Sequence, residues 1–124
     1  MPIDGFEPYK QEDVERYVKH RWWLGLTWGD MFEKATDLYP RKEALVHDTS
    51  RFTYGELRER VDRLAIGFMK LGIREGDFAM LQLPNWHEFI FAFFALQKIG
   101  AIVVLLVARH GLSEISYLVS IRKP

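Results

Sequence analysis

The chain contains no cysteine, which excludes a disulfide framework, a thiolate nucleophile and any Cys-based metal site. That composition fits a reducing compartment. Excess charge is missing too. Lys plus Arg and Asp plus Glu both number 17, so no electrostatic footprint marks the chain for nucleic acid or an anionic membrane. No apolar run is longer than Ala101 to Ala108, which falls well short of the roughly 20 residues a membrane helix needs. The opening Met1-Pro2-Ile3-Asp4-Gly5-Phe6-Glu7-Pro8 has neither the basic flank nor the apolar stretch of a signal peptide. The expectation is a cytoplasmic protein with no nucleic-acid or membrane partner.

Phosphate-binding and metal-binding signatures are equally scarce. The 9 glycines never cluster. Gly67 and Gly72 have Walker-like spacing, but Ile73-Arg74 stand where Lys and Ser/Thr are required. His20, His47, His87 and His110 show no metal-ligand spacing, and no His-Glu-x-x-His occurs. Ser50, Ser116 and Ser120 lack the context of a nucleophile elbow. The sequence therefore predicts no catalytic residue, no metal site and no cofactor held by this chain.

What is present is a foldable chain. Hydrophobic residues make up 48 % and aromatics 15 %, too many for a disordered segment, and 124 residues make one domain or part of one. Residues 1–26 read as a peripheral N-terminal segment. It carries a helix over Glu12 to His20 whose aromatic end, Trp22-Trp23, should dock on the body. Thr27 and Asp30 form a capping box, followed by Trp28, Met31, Phe32, Ala35 and Leu38 at helical spacing, with Pro40 beyond the end. Ala44 to Val46 and Arg51 to Thr53 are strand candidates joined by the turn chemistry of Asp48-Thr49-Ser50. Thr53 and Glu56 open a long helix striped by Leu57, Val61, Leu64, Ala65, Phe68 and Leu71, and Gly72 ends it.

Phe78 to Leu83 is then a strand, Asn85 and Glu88 open a third helix closed by Gly100, and Ala101 to Val107 is a strand. A final helix runs from Leu112 to Ile121, with Ser113-Glu114 as ordinary helix-start chemistry. The continuous apolar run of the last strand suits a parallel strand covered on both faces, and a right-handed βαβ crossover is the default. The fold class is α/β: a partial Rossmann-like βαβα unit preceded by a helix and a β-hairpin.

Several of these stretches carry a family resemblance. Arg51-Phe52-Thr53-Tyr54-Gly55-Glu56-Leu57, Leu71-Gly72, Arg74-Glu75-Gly76-Asp77, Leu83-Pro84-Asn85 and Ala95-Leu96-Gln97-Lys98-Ile99-Gly100-Ala101 resemble, in order and separation, the opening motifs of adenylate-forming acyl- and aryl-CoA synthetases. The match spans roughly residues 27–121. Trp22 to Asp30 and the Arg109-His110 pair lean toward the aryl-acid branch, such as 2,3-dihydroxybenzoate–AMP ligase. The resemblance implies that residues 27–124 are an incomplete N-terminal subdomain. The whole enzyme would adenylate a carboxylate with ATP and Mg2+, then pass the acyl group to CoA or a carrier-protein pantetheine. The phosphate loop, acid pocket and catalytic lysine of such enzymes lie downstream of this segment, so the chain alone is expected to be inactive. A non-catalytic interaction module retaining the scaffold is the alternative.

The departures from the family pattern are Val103 and Ala108, which stand where prolines usually do. They should lengthen the strand or loosen its exit. Arg109 and His110 follow the C-terminal end of a buried parallel strand, where open α/β folds place ligands, and are the candidate substrate-proximal residues. The third helix is apolar around its circumference, from Trp86 and Phe89 to Ile99, and so wants cover all round. The chain is therefore expected to self-associate through exposed apolar surface, or to pair with the remainder of a ligase chain.

Overall fold

The computed structural model describes residues 7–121. The elements run α1 (Gln11–Lys19), α2 (Trp28–Leu38), β1 (Glu43–His47), β2 (Ser50–Thr53), α3 (Tyr54–Lys70), β3 (Phe78–Gln82), α4 (His87–Ile99), β4 (Ile102–Leu106) and α5 (Leu112–Ile121). β1 and β2 pair antiparallel as a hairpin. β3 and β4 pair parallel, Phe78 opposite Ile102 through Gln82 opposite Leu106, with α4 as the crossover.

Local chemistry sets most of the boundaries. Thr27 accepts from the Asp30 backbone N–H at 3.1 Å, while the Asp30 carboxylate accepts from the Thr27 N–H at 2.8 Å. Thr53 and Glu56 repeat this box at 3.3 and 2.8 Å. Each box satisfies helix N–H groups that would otherwise lack partners. At the end of α4, Gly100 adopts φ +83°, and Ala101 N–H reaches Leu96 O at 3.0 Å, the wrapped bond of a Schellman stop. The same glycine accepts from Gly76 N–H at 2.9 Å through its carbonyl, which ties the Arg74–Asp77 turn to the helix end.

Phe32, Phe52, Leu57, Val61, Ala65, Phe91 and Ala95 form the core where α2, α3, α4 and the hairpin meet. Phe32 stacks on Phe94 with ring centroids 4.4 Å apart, and Phe52 meets Phe91 edge-on at 5.3 Å. An ion-pair network rivets the three helices over this core. Arg58 of α3 binds Glu33 and Asp37 of α2 at 2.6 and 2.7 Å. Lys98 of α4 binds Glu33 at 2.5 Å and also Asp62 of α3.

Several expectations need correction. Asn85 caps nothing: Trp86 is the N-cap of α4 and makes no side-chain cap bond. A tight turn, Trp86 N–H to Pro84 O at 2.7 Å, places Asn85 before the helix, and Glu88 pairs with His87 instead. The aromatic end of α1 does not dock on the body. Trp22 and Trp23 fold back on Tyr17, and Trp23 also meets Tyr9, because those rings are within reach along the chain. Trp28, Met31, Leu38 and Leu71 belong to the predicted helical stripes yet are exposed.

The cover expected for α4 is largely supplied by α2, α3, β1 and the parallel pair. Phe91, Ala92, Ala95 and Leu96 are buried, and of its large apolar residues only Trp86 at its entry is exposed. The parallel pair, by contrast, is not covered on both faces. Strand alternation puts Phe78 and Met80 on one face and Leu105 with Val107 on the other, and all four are exposed. α5 packs on no other described element.

Candidate functional site

Arg109 and His110 lie immediately beyond β4, as the sequence placed them. Val103 pairs with Ala79 inside the strand, so the residue in the usual proline position simply continues it. The exit is tied rather than loosened. The Gln82 side-chain amide nitrogen lies 2.9 Å from His110 O, 3.2 Å from Val107 O and 3.4 Å from Ala108 O. Gln82 thus fixes a loop that has no proline to stiffen it, and no sequence signal marked Gln82 for that task.

Arg109 is exposed, whereas His110 is half-buried. His110 Nδ1 is buried and meets no hydrogen-bond partner among the described residues. Such an atom costs on the order of 1–3 kcal/mol when left unpaired. Glu114 follows at the start of α5, accepting from Gly111 N–H at 3.0 Å and from the Ser113 hydroxyl at 2.9 Å. Hydrogen bonding at this helix start, aided by the nearby His110, holds the Glu114 pKa below the usual carboxylate value.

A second group escaped the sequence. His47 at the end of β1 and His87 in the first turn of α4 bring their Nδ1 atoms to 3.1 Å. His87 Nε2 lies 3.1 Å from Glu88 Oε1. Forty positions separate the histidines in sequence, and only the docking of the hairpin on α4 joins them. Periodicity cannot report a pair of that kind.

The described residues do not fit ATP and Mg2+. The β3–α4 connection, Leu83-Pro84-Asn85-Trp86, carries no glycine, and Pro84 has no N–H to offer a phosphate. Gly67 sits inside α3, which removes the Walker-like spacing from consideration. Among the described residues no group of three or more His, Asp or Glu could hold a metal ion.

A parallel βαβα unit, reached through a capped helix and a hairpin, is the architecture found at the start of adenylate-forming ligases. Residues 32–121 match the AMP-binding enzyme family, and the chain belongs to it. It is 40 % identical over 115 residues to the 2,3-dihydroxybenzoate-AMP ligase of Bacillus subtilis, covering 93 % of this chain and 21 % of that protein. To the crotonobetaine/carnitine–CoA ligase of Escherichia coli it is 44 % identical over 84 residues, covering 64 % of this chain and 16 % of that one. Among solved structures, apo MbtA of Mycobacterium smegmatis superposes with a TM-score of 0.89 at 34 % identity, covering 94 % of this chain and 22 % of its own. The chain thus spans about a fifth of the length of the relatives it matches, their N-terminal part. No helix among the described residues is long and apolar enough to cross a membrane.

Proposed function

We propose that residues 27–124 are the opening subdomain of an ATP-dependent acid–AMP ligase that activates an aromatic carboxylate, with residues 1–26 as a peripheral segment. The observation that carries this reading is the family match over residues 32–121 in a chain with no phosphate-gripping turn. The aryl-acid branch is favoured by the 40 % identity to a 2,3-dihydroxybenzoate-AMP ligase over nearly the whole chain. On this reading the segment is a scaffold: alone it neither binds ATP and Mg2+ nor transfers an acyl group to CoA or a carrier pantetheine. Its setting is cytoplasmic.

Arg109 and His110 are the residues we assign to the approach of the acid or the pantetheine. The buried, unpartnered His110 Nδ1 and the loop fixed by Gln82 support that assignment.

The exposed Met80 on one face of the parallel pair, and Leu105 with Val107 on the other, mark the surfaces that the rest of a ligase would cover. Without it, a second copy of this chain is the partner we expect. Sedimentation at micromolar concentration should show a dimer that dissociates in Leu105→Lys. A monodisperse, dye-free monomer would refute self-association.

The activity test has two arms. Purified chain should give no ATP–pyrophosphate exchange with 2,3-dihydroxybenzoate or salicylate. A chimera with residues 27–121 in place of the matching segment of the Bacillus subtilis ligase should regain exchange. His110→Ala in that chimera should raise KM for acid or thiol more than it lowers kcat. Exchange by the isolated chain, or a folded but inert chimera, would overturn the proposal.

A further inference from the structure

The His47–His87 pair carries an inference that is independent of the ligase reading. Two ring nitrogens 3.1 Å apart can share one proton, or they can hold one ion. Bonds of about 2.0–2.1 Å from each nitrogen to a common metal would subtend about 100° at that distance. That angle lies between the ideal cis angle of an octahedron and the tetrahedral angle, so neither ring needs to move far.

A carboxylate stands close to the far nitrogen of the His87 ring. Glu88 Oε1 lies 3.1 Å from His87 Nε2 and favours the tautomer with the ring proton on Nε2, whose Nδ1 lone pair then accepts from His47 or meets an ion in its place. A metal-ligating histidine characteristically gives its other N–H to a carboxylate, which fixes the tautomer and strengthens the ligand, and Glu88 is placed to receive it.

The scaffold is also suitable. One ligand sits on a strand and the other on a helix, so both backbones are held by regular structure. The rings of Phe52 and Phe91 stand 5.3 and 5.4 Å from the His87 ring and limit its rotation. His87 keeps 22 % of its side-chain surface exposed, enough for an ion to enter from solvent. One opposing charge is near: the Arg60 guanidinium lies over Phe52 and Phe91 at 4.9 and 5.7 Å, and it lowers affinity for any cation.

We infer that the Nδ1 atoms of His47 and His87 form a two-histidine chelate for a late first-row divalent metal ion, cupric ion most tightly. The order of affinities for nitrogen sites gives Cu2+ above Zn2+. No third protein ligand of the usual kinds gathers there among the described residues, so water completes the coordination. The ion would then act as a staple, joining the hairpin to α4 without touching the loop at Arg109 and His110.

The test uses the full chain, stripped with a chelator and titrated with CuSO4 and ZnCl2. Calorimetry should give one equivalent of each, and the Cu2+ form should show electron-paramagnetic-resonance couplings from two imidazole nitrogens. His47→Gln and His87→Gln should each weaken Cu2+ binding at least tenfold, and the double variant should bind no worse than the weaker single one. His20→Gln should leave the affinity unchanged. If either glutamine variant fails to fold, the 15N resonances of wild-type protein decide instead: Zn2+ should shift Nδ1 of His47 and His87 alone. Absence of stoichiometric binding, or binding that survives both substitutions, would overturn the inference.

Discussion

Gly100→Ala and Gly67→Ala are the same chemical change, and the structure gives them opposite signs. Gly100 ends α4 at φ +83°, and a Cβ built there would lie 2.9 Å from Glu75 Cγ. A left-handed backbone costs an L-residue with a Cβ roughly 1–2 kcal/mol. Glu75 is exposed and can swing its Cγ aside, so the contact adds little. The alanine also trims unfolded-state entropy, which offsets part of the strain. The net expectation is a loss of about 1–2 kcal/mol, or a fall in Tm of about 3–8 °C for a chain of this size.

Gly67 lies within α3, and a Cβ added there would meet nothing within 4 Å. Alanine at this position should stabilise by about 0.5–1 kcal/mol, the ordinary helix-interior difference. Urea unfolding followed by circular dichroism in the far ultraviolet would measure both. The midpoints should move in opposite directions while the slope stays fixed. Equal shifts of one sign would refute the assignment of Gly100 as a left-handed cap.

Two further predictions concern the charged contacts. Lys98→Met leaves Glu33 and Asp62 facing each other without their shared cation. With Lys98 at 23 % exposure and its partners at 31 % and 43 %, the loss should lie between exposed and buried pairs, about 1–3 kcal/mol by urea unfolding. Burial opposes the Lys98 charge, but Asp62 and Glu33 outweigh it and raise its pKa. Its contribution is therefore complete below the ordinary value of 10.5 and lost as pH rises through the folded value. Wild-type should lose stability at alkaline pH more steeply than Lys98→Met. Thr53→Ala should cost about 0.5–2 kcal/mol by the same unfolding assay. The Thr53 backbone N–H, then its hydroxyl, hold the Glu56 pKa below 4.5, so that stabilisation is present above 4.5 and lost as pH falls through the folded value. Glu56→Gln should flatten the acid limb of a stability–pH curve.

The local grammar of this chain is legible along the sequence. Thr27 with Asp30, Thr53 with Glu56, and Gly100 after Ile99 each act within a few residues. Their hydrogen bonds form wherever the helix forms, and the sequence carries them openly. The same holds for the motif order that marks the family. Asn85 shows the limit of such reading: it has the right spacing to Glu88, yet the turn after Pro84 starts the helix later.

The sequence by itself determined the elements, the α/β class and the position of Arg109 and His110 past a parallel strand. Tertiary structure alone decided which apolar residues are covered. The stripe of α2 predicts burial for Trp28 and Met31 as readily as for Phe32, but α4 meets only part of it. It also decided what Lys98 does, because its partners come from two other helices, and that Gln82 binds the loop beyond β4. Above all it brought His47 to His87. Capping and periodicity depend on neighbours along the chain, whereas these contacts depend on how helices and strands dock, and no spacing in one sequence encodes that.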